Sequence, residues 1–231
     1  MSELFLIRHG QASFGSRNYD RLSELGQMQS RILGDYFCDQ AIQFDLMMCG
    51  SMERHEKTLD GIVAGLKNGS NTACIQHEGL NEYSFEAIMP LYQDLHADDE
   101  LVKKLKTGPA DRKLYYSLLR RVLTAWSKDE LPGTQESWQA YKRRVLAVQR
   151  QLLEIDKSGQ RVLAVSSGGA ISYFTGLVLG LDAETVFDLN MQIKNTSISH
   201  FYFNRQGFKL AMFNALPHLA QADYSRFITY A

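Results

Sequence analysis

The chain has 231 residues, of which 45% are hydrophobic and 22% charged, the composition of an ordinary folded globular protein. Its 25 basic and 26 acidic residues give a net charge of −1, which excludes nucleic-acid binding through a large basic excess. No stretch approaches the roughly 18–20 apolar residues of a membrane-spanning helix, so neither a nucleic acid nor a membrane is predicted as a partner.

The first third of the chain alternates predicted strands and helices. Short apolar runs predict buried strands, and apolar residues at helical spacing predict helices. In chain order these elements are a strand over 4–7, a helix over 22–37, a strand over 44–49, a helix over 51–67 and a strand over 72–75. Ser23 is the predicted cap of the first helix.

A helical insertion then interrupts the alternation. Residues 83–131 lack strand signals and predict a helical cap beside the sheet, with a break at 107–109. The remaining predicted elements are a helix over 136–155, a strand over 161–165, an apolar helix ending near Gly180, and a hairpin of strands 197–203 and 208–213. This order predicts the α/β class: one domain over 1–231, built as a three-layer α/β/α sandwich with a mainly parallel sheet.

Cationic residues collect where ligands of such sheets bind, beyond the carboxyl ends of the strands. Arg8 and His9 follow the first strand, Arg54 follows the second, and Ser167 and Gly168 follow a later one. Arginine forks and the N–H groups at a helix start both suit a phosphate group. Like charges disfavour a proton on His9, so its pKa is expected to be lowered, and a neutral imidazole is a nucleophile. The edge therefore predicts phosphoryl transfer through a phosphohistidine, with no metal and no cofactor.

Six segments, in order, match motifs of one known family. Residues 6–11 read Leu-Ile-Arg-His-Gly-Gln, and residues 51–58 are similar to a Ser-x-x-x-Arg-Ala-x-x-Thr helix. The other four are 22–29 for Leu-Thr-x-x-Gly-x-x-Gln, 80–82 for Leu-x-Glu, 165–169 for Val-Ser-His-Gly-Gly, and 214–219 for Asn-Asp-x-x-His-Leu. Together they resemble the histidine phosphatase superfamily, which includes the cofactor-dependent phosphoglycerate mutases.

The resemblance implies a role for each matching residue. His9 would accept the phosphoryl group, and Arg8 and Arg54 would clamp its oxygens. Glu82 would protonate the leaving oxygen and later activate water. The resemblance also implies a small phosphorylated substrate, selected by the cap.

One departure concerns the family's second catalytic histidine, whose place is taken here by Ser167. The favoured interpretation of Ser167 is a helix N-cap with no catalytic role, with a phosphate contact in addition. Exchanging a charged for a neutral hydrogen bond costs about tenfold in rate in many settings, and about 10²–10³-fold in a preorganised site. His218, in the last matching segment, is a candidate substitute. His55, His77, His96 and His200 show no metal-ligand spacing and are interpreted as solvated or structural.

Two further departures argue against mutase activity. Gly15 stands where the mutases carry a phosphate-contacting asparagine, and Asn18 is the candidate replacement. Glu86 replaces a glycine that often follows the acid motif. The favoured function is therefore hydrolysis of a phosphomonoester.

Two alternatives remain open from the sequence. The first is a non-catalytic binder of phosphorylated ligands that kept the arginine clamp. The second, less favoured, is a serine hydrolase acting through Ser167, because Val165 stands where a nucleophile elbow needs glycine.

The cysteines and the first residues bear on location. Cys38, Cys49 and Cys74 stand apart, without a CxxC pair or a zinc-finger spacing, as is usual in a reducing compartment. Residues 1–10 have no basic leader before a hydrophobic run, so no signal peptide is expected. A cytoplasmic location is predicted.

Overall fold

Six strands form one sheet in the part of the chain that the structure describes, which comprises residues 1–13, 20–67, 72, 74–107, 112–155 and 157–230 of a computed structural model. The strands are β1 (Ser2–Arg8), β2 (Leu46–Cys49), β3 (Cys74–Gln76), β4 (Arg161–Ser166), β5 (Ile198–Asn204) and β6 (Gly207–Ala215). Their order across the sheet is β3-β2-β4-β1-β5-β6. Strands β1 to β4 are parallel to one another, and β5 is antiparallel to both of its neighbours. A mainly parallel sheet with a final hairpin is thereby confirmed.

Eight α-helices lie in the same ranges: α1 (Glu24–Asp39), α2 (Glu53–Gly65), α3 (Phe85–Leu95), α4 (Glu100–Thr107), α5 (Arg112–Ser127), α6 (Trp138–Leu153), α7 (Gly168–Leu179) and α8 (Ala183–Asn190). Short 3-10 helices cover Glu78–Leu80, Pro217–Leu219 and Ala222–Phe227. Among the helices described, none is both long and apolar enough to cross a membrane.

Local capping signals account for two of the helix ends that were predicted. The Ser23 hydroxyl oxygen accepts a hydrogen bond from the Gly26 N–H at 3.0 Å and so caps α1. Gly180 ends α7 in the left-handed conformation, at φ 69°. Helix α8 was not predicted, because its eight residues carry too short an apolar pattern. The Asp182 side chain caps it by accepting from the Thr185 N–H at 2.8 Å.

Two cores, one on each face of the sheet, produce the three layers. Side chains alternate between the faces of a strand, so Leu4 and Leu6 of β1 pack with α3, α5, α6 and α7. Phe5 and Ile7 pack on the opposite face with α1 and α2. Because both faces of the central strands are buried, these strands read as continuous apolar runs. The predicted sandwich is confirmed, and helices α3 to α5 form the helical cap on the first face.

The neighbouring parallel strands bring three loops together. Arg8 pairs with Ser166 at the ends of β1 and β4, and Cys49 pairs with Val165 at the end of β2. The segments that follow these strands therefore meet at one edge of the sheet. Helix α2 starts at this edge and packs closely along α1, where a Cβ on Gly34 would stand only 2.1 Å from the Ile62 carbonyl oxygen.

Candidate active site

His9 lies buried at the end of β1, with 5% of its surface exposed. Its backbone N–H donates to the Ser166 carbonyl at 2.9 Å, and its carbonyl accepts from the Asn195 side chain at 3.0 Å. The ring atom Nδ1 is 2.7 Å from the Gly10 carbonyl oxygen. A carbonyl only accepts, so Nδ1 carries the proton of the neutral ring and the lone pair is on Nε2.

Several causes hold the pKa of His9 well below its ordinary value of 6.5. Burial is the largest, followed by the positive charges of Arg54 and Arg8 and by the nearby His55. The hydrogen bond to Gly10 opposes them. The direction is the one expected from the sequence, but burial exceeds the effect of the arginines. The ring is therefore neutral near pH 7, as a nucleophile requires.

Arg54 lies in the first turn of α2 and is 5% exposed. Its Nη1 donates to Asp20 Oδ1 at 2.7 Å, and its Nη2 lies 3.5 Å from Ser167 Oγ. The other carboxylate oxygen of Asp20 accepts from the Glu53 N–H at 2.8 Å, at the start of the same helix. Asp20 thus fixes the guanidinium to the helix that carries it.

Arg8, the last residue of β1, is also buried, and its Nη1 donates to the Ile193 carbonyl. Gly168, the first residue of α7, packs beside it. A Cβ on Gly168 would stand 3.7 Å from Arg8 Nε and 2.5 Å from Asn190 Oδ1. The absence of a side chain at 168 therefore makes room for the Asn190 amide, whereas the distance to Arg8 is an ordinary van der Waals contact.

The Glu82 carboxylate lies against the first turn of α7. Its Oε2 accepts from the Gly169 N–H at 3.1 Å, and its Oε1 accepts from the Tyr83 N–H at 3.2 Å. A Cβ on Gly169 would stand 2.2 Å from Oε1. Arg144 holds the Glu82 backbone through a bond to its carbonyl at 3.1 Å. The acid is thus held at the same edge of the sheet as His9.

Ser167 occupies the N-cap position of α7, but its hydroxyl makes no capping bond. Its Oγ lies 2.7 Å from His55 Nε2 and 3.5 Å from Arg54 Nη2. The predicted N-cap position is therefore correct, but the side-chain capping bond is not formed, because the hydroxyl turns toward α2.

His55 is a candidate site residue that sequence reasoning missed. It is fully buried, and its ring centre is 5.7 Å from that of His9. Burial and the adjacent Arg54 charge hold its pKa well below 6.5. One signal was available in the sequence: position 55 carries histidine where the family motif has alanine after the arginine. The other three histidines of that group have structural contacts: His77 with the Gly79 N–H, His96 with the Tyr92 ring, and His200 with Glu3.

His218 contacts residues behind the nucleophile. Its Nε2 lies 3.1 Å from Thr196 Oγ1, and its ring packs beside Tyr36. The Thr196 N–H donates to the Arg8 carbonyl at 3.0 Å. His218 thus supports the chain around Arg8, whereas the imidazole that meets Ser167 is that of His55.

The buried His218 is expected to make stability depend on pH. Burial lowers its pKa to about 3, so between pH 6.5 and 3 the unfolded chain binds a proton that the folded chain does not. Its stabilising effect is complete above pH 6.5 and is lost as the pH falls through this window. Between pH 7 and pH 5 the free energy of unfolding should therefore fall by about 2 kcal/mol less in His218→Gln than in the wild type.

Urea unfolding at the two pH values measures this difference. His96→Gln, a change at a histidine on the cap, serves as the control and should follow the wild type. An identical pH dependence in His218→Gln and the wild type would contradict the prediction.

The loop after His9 holds Asn18, the candidate phosphate contact, and two further arginines. Asn18 lies outside the described residues, as do Gly15 and Arg17. Arg21, at the end of the same loop, is exposed and forms an ion pair with Glu53 at 3.5 Å. Within the ranges that the structure covers, no three His, Cys, Asp or Glu side chains form a group that could hold a metal ion.

Comparisons with known proteins identify the family and the fold. A family model described as histidine phosphatase superfamily (branch 1) matches residues 4–114 and 106–216. Phosphoserine phosphatase from Entamoeba histolytica, solved with 3-phosphoglyceric acid, aligns with 20% identity over 95% of this chain and 100% of its own, with a TM-score of 0.62. The α-ribazole phosphatase of Shigella flexneri aligns with 21% identity over 92% of this chain and 96% of its own, with a TM-score of 0.64. A phosphoglycerate mutase from Bacillus anthracis aligns with 17% identity over 94% of both chains, with a TM-score of 0.66. At these identities the likeness establishes a shared fold.

Proposed function

The chain belongs to the histidine phosphatase superfamily, and we propose that it hydrolyses phosphomonoesters through a phosphohistidine formed on His9. The observation that carries the proposal is the state of His9. Its Nδ1 is tied to the Gly10 carbonyl, so the lone pair is on Nε2, and burial together with Arg54 and Arg8 keeps the ring neutral. The phosphatases of like fold support hydrolysis as the reaction class.

In the first step, His9 Nε2 attacks phosphorus and the bond from phosphorus to the leaving oxygen breaks. Glu82 gives its proton to that oxygen, so the product leaves as an alcohol. Arg8 and Arg54 neutralise the charge on the phosphoryl oxygens, as bidentate guanidinium groups do. Ser167 and the N–H groups at the start of α7, beginning with Gly168, are the further proposed contacts of the phosphoryl group.

In the second step, water attacks the phosphorus of the phosphohistidine. Glu82, now ionised, takes a proton from this water, and the phosphorus–nitrogen bond breaks with its electron pair returning to Nε2. The products are inorganic phosphate and a neutral His9. Charge neutralisation by buried arginines supplies what a metal ion supplies in many other phosphatases.

The proposal includes the nature of the substrate and the location. A small phosphorylated molecule is the expected substrate, as the phosphoserine phosphatase and the α-ribazole phosphatase of like fold suggest. We propose a cytoplasmic location on the basis of the free thiols of Cys38, Cys49 and Cys74.

Trapping the phosphoenzyme tests the proposed function. The protein is mixed with p-nitrophenyl phosphate and quenched in base, because a phosphohistidine survives base and is hydrolysed in acid. Peptide mass spectrometry should then find phosphate on His9 and lose it after acid treatment. Phosphate on Ser167 would instead establish the serine hydrolase. Binding of inorganic phosphate without turnover and without any phosphopeptide would establish the non-catalytic binder.

A further inference from the structure

Two buried side chains from different elements meet beside the proposed nucleophile. His55 comes from the first turn of α2, and Ser167 stands at the start of α7. His55 Nε2 lies 2.7 Å from Ser167 Oγ, and neither residue has any exposed surface. The His55 ring centre is 5.7 Å from that of His9. An imidazole and a hydroxyl are thus joined at the proposed site of phosphoryl transfer, and the proposed reaction assigns no role to His55.

Ser167 is the one polar contact of the His55 ring among the described residues. Its Nδ1 is buried without a hydrogen-bond partner in the part of the chain that the structure covers. This nitrogen faces the backbone at Gly50, where a Cβ would stand 2.2 Å away. Because Nδ1 packs against Gly50, Nε2 is the ring nitrogen that forms the hydrogen bond.

The hydrogen-bond inventory gives the direction of the contact. Burial and Arg54 lower the pKa of His55, so the ring is neutral and carries one N–H. A proton on Nδ1 would leave a buried N–H without an acceptor, which native proteins rarely tolerate. With the proton on Nε2, the ring donates to Ser167 Oγ. Arg54 Nη2, at 3.5 Å from Oγ, is also a donor. Both lone pairs of Oγ then face donors, and the hydroxyl proton is free to point elsewhere.

We infer that the Ser167 hydroxyl donates this proton in a hydrogen bond to the phosphoryl group in transit, and that His55 is the positioning residue that orients and polarises the hydroxyl. No proton is transferred between His55 and Ser167. The inference rests on the proposed function, since it assigns the residues that hold the phosphoryl group in that same reaction.

The two sequence departures now have a common explanation. Ser167 replaces the histidine of the family motif, and His55 replaces the alanine of another motif, 112 residues earlier in the chain. The structure brings these two replacements into contact. The imidazole that the family motif places at the start of α7 is thus replaced by an imidazole–hydroxyl pair. In this pair the ring belongs to α2 and the hydroxyl to the start of α7.

Two matched substitutions separate hydrogen bonding from packing at position 55. His55→Gln retains an N–H donor at the end of a side chain of similar size, whereas His55→Leu fills the space without one. We expect His55→Leu and Ser167→Ala to lower kcat for p-nitrophenyl phosphate by about 30- to 300-fold, with KM changed less than about threefold. His55→Gln should retain kcat within about fivefold of the wild type.

A double substitution tests the exchange itself. His55→Ala combined with Ser167→His moves the imidazole to the family's position and should restore kcat to within about tenfold of the wild type. The kcat of His55→Leu combined with Ser167→Ala should lie within about threefold of the kcat of either single variant, because the two residues act as a unit. His200→Gln, at a histidine paired with Glu3, is the control variant, and thermal unfolding checks that every variant is folded.

The outcomes distinguish this inference from the proposed function. If the wild type forms phosphohistidine but His55→Leu and Ser167→Ala keep kcat within threefold, the inference is overturned and the function stands. Equal losses in His55→Gln and His55→Leu, without recovery in the exchange variant, overturn it as well.

If the wild type shows no turnover, the proposed function fails and binding decides the inference. Orthovanadate imitates the five-coordinate phosphorus of the transition state. The wild type should then bind orthovanadate at least about tenfold more tightly than inorganic phosphate, and His55→Leu and Ser167→Ala should lose this preference. An unchanged preference in both variants, or none in the wild type, overturns the inference.

Discussion

Turnover of p-nitrophenyl phosphate is expected to fall by about 10⁴-fold or more when His9 is replaced by alanine, because the proposed covalent intermediate forms on the ring that this change removes. The buried ring offers its Nε2 lone pair only because Gly10 holds the proton on Nδ1. The arginines remain in His9→Ala, so inorganic phosphate should still bind within about tenfold of its wild-type affinity. Steady-state kinetics and calorimetric titration with phosphate measure the two effects separately.

The matched control for this prediction is His96→Ala, at a histidine that packs on Tyr92 in the cap. It should leave turnover within about twofold of the wild type. Turnover in His9→Ala within tenfold of the wild type would rule out His9 as the nucleophile. It would leave Ser167 as the candidate that phosphopeptide mapping should then identify.

Replacing Arg54 by alanine is expected to lower kcat/KM by about 10³-fold, because the guanidinium neutralises charge that grows on the phosphoryl oxygens. Arg54→Lys should lose nearly as much. A lysine has no planar fork with which to meet Asp20, Ser167 and a phosphoryl oxygen together. Asp20→Asn, which keeps Arg54 but weakens the contact that orients it, should lower kcat/KM by about tenfold.

Arg120→Ala is the control for the Arg54 series. Arg120 is half exposed and pairs with Glu184 and Asp188 at the surface, so its loss should change kcat/KM less than about twofold. If Arg54→Ala lowers kcat/KM by less than tenfold, Arg54 does not clamp the phosphoryl group. Raised KM with unchanged kcat would show that it binds the ground state only.

Sequence periodicity predicted most of the elements that build the site. The apolar runs at 4–7 and 161–165 became neighbouring parallel strands, and the polar residues after them met at one edge. Such patterns are readable because burial on both faces requires apolar residues at successive strand positions. Helix α8 was not predicted because its eight residues span only about two helical turns, too few for the apolar residues to show a repeat of 3.6.

Contacts between distant segments were not readable in this way. Cys49 and Cys74 stand 25 residues apart, yet their sulfur atoms lie 3.6 Å from each other because β2 and β3 are neighbours in the sheet. Ser167 occupies a capping position that its sequence neighbours predict correctly. The direction of its hydroxyl was not predictable, because that direction depends on a partner from another helix.

The sequence by itself determined the α/β class, the family and the residues Arg8, His9, Arg54 and Glu82 as the candidate machinery. Those inferences depend on local spacing and on motifs that lie within short segments. Only the tertiary structure decided that His55 belongs to the site and that His218 lies behind it. Both stand in motif segments, but the motifs do not show which partner each ring contacts across the fold. That partner is set by the packing of α2 and α7 at the sheet edge for His55, and by the chain around Thr196 for His218.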